Sequence, residues 1–200
     1  MANAITIIRV ILAFIAITLL FYTTTPYYLA AMTITIFVMW FDGLDGYVAR
    51  KFNETSKLGA VLDIMGDRIV ENVYWIVFAV LGYISPVIPI IVISRGIITD
   101  SLRSVALEQG YTAFGGSTMM QGKVAKFIVT SNFSRFTYAF AKAVAFVLLI
   151  AAFIPADYVF KEIIWNIAQI CVYVSVVFCV VRGLPVIFES ARFFKKDDNA

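Results

Sequence analysis

YYLAAMTITIFVMWFDGLDGYVARKFNETSKLGAVLDIMGDRIVENVYWIVFAVLGY, residues 27–83, is the stretch that decides the fold. Two apolar runs, Tyr27–Trp40 and Leu58–Tyr83, flank a short polar connection at Arg50–Lys57. A membrane-spanning helix needs roughly 20 apolar residues. The first run reaches that length when its helix continues through Asp42–Gly46. The second carries polar residues only in its first half. The stretch therefore reads as a helical hairpin whose acidic residues gather at one end.

The same pattern extends outward. Further apolar runs cover Ile5–Tyr22, Val87–Thr99 with an extension to Glu108, Val124–Ile154, and Tyr158–Val181. Breaks fall at Thr23–Pro26, Ser85–Pro86 and Pro155–Ala156, where turn chemistry and proline place them. Of 200 residues, 62% are apolar and 14% charged, with a mean hydropathy of +0.90. A soluble domain is roughly half apolar and about a quarter charged. A 22.3 kDa chain with so few polar residues cannot cover a water-facing surface, so lipid surrounds most of it. The composition excludes a disordered chain. It also excludes a basic domain built for nucleic acid, and the absence of His excludes imidazole chemistry. The expected fold class is all-α, an integral membrane bundle of six transmembrane helices, forming one membrane domain over residues 1–200. The first run reads as a retained span, because Arg9 sits inside it and no small-residue cleavage site follows before Thr23. Cys171 and Cys179, eight apart, would stand about 12 Å apart along a helix, too far for a disulfide, and read as packing residues.

Charge sets the orientation. Arg50, Lys51 and Lys57 lie in one connection, Arg103, Lys123 and Lys126 in another, and Arg192, Lys195 and Lys196 after the last run. The opposite connections carry only Lys161. The positive-inside rule then puts both termini in the cytoplasm. Arg135 and Lys142 fall inside the fifth segment, which reads as one helix of about 30 residues, roughly 45 Å, projecting beyond the bilayer. Lys142 then snorkels or faces the bundle interior.

Asp42, Asp45, Asp63 and Asp67 are four of only thirteen acids. Asp42 and Asp45 are i, i+3; Asp63 and Asp67 are i, i+4; each pair shares a helix face. The hairpin brings both pairs to the same cytoplasmic interface. Four converging carboxylates repel unless a divalent cation joins them, and an all-oxygen set without His or Cys suits Mg²⁺ or Mn²⁺. Gly43, Gly46, Gly59 and Gly66 stand beside these acids, although glycine weakens a helix. They leave room for a bulky group or for close helix packing. Arg50 adds a fixed cation. Together these residues describe a site for a metal-bridged pyrophosphate. Arg68 and Glu71, at i, i+3, read as an internal ion pair.

The segment from Asp42 to Asp67 resembles the signature of the CDP-alcohol phosphotransferases, D-x2-D-G-x2-A-R-x8-G-x3-D-x3-D, at every fixed position: Asp42, Asp45, Gly46, Ala49, Arg50, Gly59, Asp63 and Asp67. The resemblance implies a six-span membrane enzyme, a homodimer, that transfers a phosphatidyl group from CDP-diacylglycerol to an alcohol and releases CMP. It implies that the four aspartates bind two divalent ions and that Asp67 is also the catalytic base. It further implies that Gly46, Ala49, Arg50 and Gly59 line the pocket for the CDP-lipid. Asn3, Thr6 and Arg9 share one helix face and are similar to the N-x2-T-x2-R start of many members, with Ala2 in place of the usual Pro; a role near the mouth of the site is one reading, and the sequence leaves their role open.

Arg95 interrupts the fourth apolar run, where an unpaired cation is expensive. The stretches 94–110 and 121–126 are similar to those of the family's phosphatidylglycerophosphate synthase branch, whose acceptor is glycerol 3-phosphate. Arg95, Arg103, Lys123 and Lys126 fall at its cationic positions and are expected to hold the acceptor phosphate. The chain departs from that pattern at Ser104 and at Gly66-Asp67-Arg68. Inositol phosphate, and phosphatidylglycerol giving cardiolipin, are the alternative acceptors. A cation transporter is the rival class, since intramembrane acids also mark ion paths. A path spreads polar groups across the bilayer, whereas these acids gather at one interface. A structural membrane protein would leave the four aspartates without a task.

Overall fold

The computed structural model describes residues 2–51, 57–108, 110–111, 120 and 122–194, with side chains at all of these except 2, 42–51, 57, 60, 123–124, 132 and 191–194. Among the described residues there are seven helices and no strand: α1 (Ala2–Leu19), α2 (Thr25–Lys51), α3 (Lys57–Val80), α4 (Val87–Glu108), α5 (Lys123–Thr130), α6 (Asn132–Ala152) and α7 (Lys161–Phe194). The breaks between α1 and α2, α3 and α4, and α6 and α7 fall where the sequence predicts. Gly82, at φ +77°, makes the turn after α3, a conformation other residues rarely adopt.

One expected helix is two. The segment from Val124 to Ile154 is interrupted at Ser131, whose backbone is extended at φ −65°, ψ 138°. Ser131 Oγ accepts the Ser134 N–H at 3.1 Å, the N-cap to N3 bond that starts α6. Ser134 Oγ donates to the Ile128 carbonyl at 2.7 Å, which satisfies an acceptor at the end of α5. Two serines thus supply the bonds that a continuous helix would have made through its backbone.

Phe133–Ala152 and Lys161–Ser190 are long and apolar enough to cross a bilayer, and Asn3–Leu19 and Thr25–Phe41 are shorter apolar stretches. The helices α3 and α4 match them in length, but each carries charged residues along it. Exposure follows an inside-out pattern on α1. Ala13, Ala16 and Ile17 are buried, while Ile7, Ile8, Ile11, Phe14 and Ile15 are exposed. Contiguous apolar faces of this kind are rare on proteins solvated by water.

The chain divides into two compact units, Met1–Pro86 with Ala143–Cys171, and Val87–Lys142 with Val172–Ala200. In the first, α1 packs against α2 and α3, with small buried residues Ala16 and Ala31 permitting close approach. Tyr74, Trp75 and Phe78 of α3 surround Phe146 of α6 at ring-centroid distances of 5.1, 4.8 and 5.4 Å. Tyr83 stacks on Phe153 at 3.6 Å, and Gln169 Nε2 donates to the Tyr83 carbonyl at 3.1 Å. In the second unit, Ala106, Met120, Val129 and Val186 form a small core under Leu102, Tyr111 and Ala125. Both cysteines are free, and Cys179 is buried.

Candidate active site

The α2 helix runs through Asp42–Gly46, as the sequence predicts, and on to Lys51, so Arg50 and Lys51 belong to the helix and not to the connection. Asp42, Asp45, Gly46, Ala49 and Arg50 therefore lie on its last turns; their side chains are outside the described residues. Asp63 and Asp67 lie one turn apart on α3, both partly exposed, and Gly59 is near the start of that helix.

Two contacts fix the register between α2 and α3. The hydroxyls of Tyr28 and Tyr83 hydrogen-bond to each other. Thr35 Oγ1 and the Tyr74 hydroxyl, both buried, lie 2.8 Å apart. From Tyr28 to Thr35 is seven residues along α2, and from Tyr83, three residues past the end of α3, back to Tyr74 is nine, so the helices run antiparallel. Asp42 is seven residues beyond Thr35, and Asp67 is seven residues before Tyr74. Seven residues make about two turns. The same register, carried two turns on, brings the backbone positions of Asp42 and Asp67 to one level.

Asp67 has a partner that the signature does not contain. Arg9 Nη2 of α1 donates to Asp67 Oδ1 at 2.5 Å. The Arg9 side chain is 1% exposed and that of Asp67 47%. Gly66 makes the approach feasible: a Cβ there would meet Thr6 Cγ2 at 2.7 Å and Arg9 Nη2 at 3.3 Å. The room beside this glycine is filled by Thr6 and Arg9. The face shared by Asn3, Thr6 and Arg9 is the face of α1 that meets α3, with Thr6 and Arg9 buried. Arg68 and Glu71 pair at 3.6 Å, with Glu71 buried, as their spacing predicts.

Asp63 and Asp67 supply two hard oxygen donors on one face, half of the set a divalent pair would need. Among the described residues no group of three or more candidate ligands gathers, and the side chains of Asp42 and Asp45 are outside those residues. The donor chemistry fits a hard cation.

The second unit holds the predicted acceptor cations. Arg103 lies 3.7 Å from Asp100 on its own helix. Arg95 lies along α7 over Gly183, where a Cβ would meet its Nε at 2.8 Å and its Cγ at 2.9 Å. The Arg95 Nε is buried without a hydrogen-bond partner among the described residues. Lys126 is exposed on α5, and the Lys123 side chain is outside the described residues. Glu189 of α7 accepts the Gly122 N–H at 3.1 Å and so seats the start of α5, the helix that carries both lysines.

Sequence reasoning missed Arg182. Its guanidinium is buried, donates to Ser134 Oγ at 3.2 Å and to the Val129 carbonyl at 3.3 Å, and lies 5.8 Å from the Tyr138 ring centre. Arg95, Arg103 and Arg135 are within its electrostatic reach. The signal was present as a cation one residue past the end of the last apolar run. Lys142 lies 5.5 Å from the ring centre of Tyr138, one turn earlier on α6.

Residues 1–181 match the family model described as CDP-alcohol phosphatidyltransferase. A CDP-diacylglycerol–glycerol-3-phosphate 3-phosphatidyltransferase of Pseudomonas fluorescens is 36% identical over 119 residues, 57% of this chain and 60% of the relative. The enzyme of the same name from Haemophilus influenzae is 32% identical over 101 residues, 45% of each chain. A third, from Mycoplasma genitalium, is 35% identical over 68 residues, 34% of this chain and 29% of the relative. The chain thus spans about half the length, or less, of these curated relatives.

Proposed function

Because the chain belongs to the CDP-alcohol phosphatidyltransferase family, we propose that it transfers the phosphatidyl group of CDP-diacylglycerol to glycerol 3-phosphate, releasing CMP and forming phosphatidylglycerol phosphate. The relatives' names support this donor and acceptor. The observation that carries the reading to particular residues is the α2–α3 register, with Asp42 and Asp67 at one level of an antiparallel pair.

In this reading Asp42, Asp45, Asp63 and Asp67 hold two divalent ions, Mg²⁺ or Mn²⁺. Bound there, the ions neutralise the diphosphate and the charge that develops on the departing nucleotide. Asp67 takes the proton from the acceptor hydroxyl, because an alcohol is a poor nucleophile near neutral pH. The hydroxyl oxygen bonds to the phosphorus that bears the diacylglycerol, the bond from that phosphorus to the bridging oxygen breaks, and CMP leaves with the electron pair. Gly46, Ala49, Arg50 and Gly59 line the nucleotide side. Arg95, Arg103, Lys123 and Lys126 hold the acceptor phosphate, and the buried charge of Arg182 adds to the same cationic group.

The bundle crosses the membrane six times, through α1, α2, α3, α4, α6 and α7. Both termini and the active site are cytoplasmic, as the loop charges support, and the assembly is a homodimer, on the family resemblance. The test is CMP release from CDP-diacylglycerol in detergent, with and without Mn²⁺, using glycerol 3-phosphate, inositol phosphate and phosphatidylglycerol as separate acceptors and identifying the lipid product by mass. The expected result is divalent-dependent formation of phosphatidylglycerol phosphate and an inactive Asp67→Asn variant. Full turnover without a divalent ion, or with Asp67→Asn, overturns the mechanism; a different product mass overturns the acceptor.

A further inference from the structure

The proposed chemistry leaves Arg9 and Thr6 of α1 without a task, yet both are buried against α3 beside the proposed base. We propose that Arg9 is a positioning residue for Asp67, an anchor on a second helix that fixes where the carboxylate points during proton transfer. This rests on the reading of Asp67 as the base.

Burying a guanidinium is costly unless it is paired. A helix as apolar as α1 could place an arginine at its end and let it snorkel. Arg9 is instead 1% exposed, and its partner is Asp67, 58 residues away on another helix. Asp67 itself is 47% exposed. A carboxylate that open to solvent turns about two side-chain bonds unless something holds it, and a charge-assisted bond of 2.5 Å to one oxygen is a strong restraint. The residue before the acid completes the device. Gly66 has no Cβ to push Thr6 and Arg9 away.

Positioning matters because a base must lie within hydrogen-bond reach of its proton, and an ångström of misplacement costs about 100-fold in rate. A pair that only docked α1 to α3 would behave differently from an anchor. Arg9 also places a positive charge against a carboxylate proposed to face divalent ions. Removing that charge leaves the acidic site more negative, so a divalent ion binds more tightly while turnover falls. Structural damage moves both in the losing direction.

The experiment uses the full chain in detergent. For Arg9→Gln, Arg9→Lys, Gly66→Ala and the Gly66→Ala/Thr6→Ser pair, kcat and both KM values are measured. Mn²⁺ affinity is read separately, without substrates, from the electron paramagnetic resonance of free Mn²⁺. For Arg9→Gln we expect kcat to fall about 100-fold, both KM values to hold within about threefold, and Mn²⁺ to bind several-fold more tightly. Arg9→Lys should recover about tenfold of the lost kcat, since it restores the charge without the planar fork. Gly66→Ala should lower kcat, and Thr6→Ser should restore it by removing the methyl that the new Cβ would strike. Wild-type kcat or weaker Mn²⁺ binding in Arg9→Gln overturns the inference. Full activity in Asp67→Asn overturns the underlying reading instead. If Arg9→Gln does not fold, the Gly66→Ala loss and its rescue decide, and a Gly66→Ala enzyme with normal kcat is the refuting result.

Discussion

Gly183→Ala tests whether Arg95 holds the acceptor phosphate without removing any charge. The new methyl would lie 2.8 Å from the Arg95 Nε and 2.9 Å from its Cγ, so the arginine stem has to move. No hydrogen bond at Nε is lost, because that atom has no partner among the described residues. Forcing the stem aside costs about 1–3 kcal/mol. Alanine returns about 1 kcal/mol of helix propensity inside α7. The net destabilisation is then about 0–2 kcal/mol, or a fall in Tm of about 0–8 °C for a chain of this length. The effect on function is larger. A displaced guanidinium forfeits a charge-assisted contact with phosphate, about 1.5–3 kcal/mol, so the acceptor KM rises at least about tenfold. The KM for CDP-diacylglycerol should stay within about twofold, since that substrate is assigned to other residues. Steady-state CMP release, with each substrate varied in turn, reads both values. An unchanged acceptor KM, alongside a melting curve shifted by the crowding, would refute the assignment of Arg95.

Two further outcomes follow from the geometry. Ser134→Ala removes a donor to the Ile128 carbonyl and an acceptor for the buried Arg182, so it should cost about 3 kcal/mol and lower Tm by about 6–12 °C. Ser131→Ala loses only a helix cap, about 1 kcal/mol, and the two variants melting together would show that the break at Ser131 does not depend on Arg182. Chelation should abolish CMP release and added Mn²⁺ should restore it, while Asp63→Asn should weaken Mn²⁺ binding by more than about 100-fold; unchanged Mn²⁺ affinity in Asp63→Asn would remove that residue from the ligand set.

Most of the helix boundaries were legible because apolar runs and prolines mark them directly. The continuation of α2 through Asp42–Gly46 was legible too, since Tyr27–Trp40 alone is too short for a span. The break at Ser131 was not. It lies in a run with no proline or glycine, and its cause is a serine cap reinforced by a side chain from α7, a contact that no local pattern contains. Arg182 was missed for a related reason. It lies one residue beyond the last apolar run, where a cation looks like the approach of the cytoplasm, yet α7 continues for twelve more residues to Phe194 and the charge is buried. The carboxylate spacing told which acids share a face. It carried no information about Arg9, whose contact with Asp67 joins residues 58 apart.

Gly66 and Gly183 have a common explanation that neither substrate clearance nor plain helix packing supplies. At each, an arginine from a different helix crosses the backbone, Arg9 over Gly66 and Arg95 over Gly183. A guanidinium inside an apolar bundle is tolerable only when it reaches a partner or a ligand. Beside Gly183 the missing Cβ leaves room for the Arg95 stem, and beside Gly66 it leaves room for the Thr6 methyl and the tip of Arg9. The two cases differ in what the arginine reaches. Arg9 ends on Asp67, within the same unit. At Nε the two are alike, each buried with no hydrogen-bond partner at that atom among the described residues. They differ at the tip of the guanidinium: that of Arg9 is bonded to Asp67, and that of Arg95 is the group proposed for the acceptor phosphate. The two glycine-to-alanine variants should therefore separate by parameter: Gly66→Ala in kcat, and Gly183→Ala in the KM of the acceptor. Both variants failing in the same parameter would show that the two arginines do not have distinct roles.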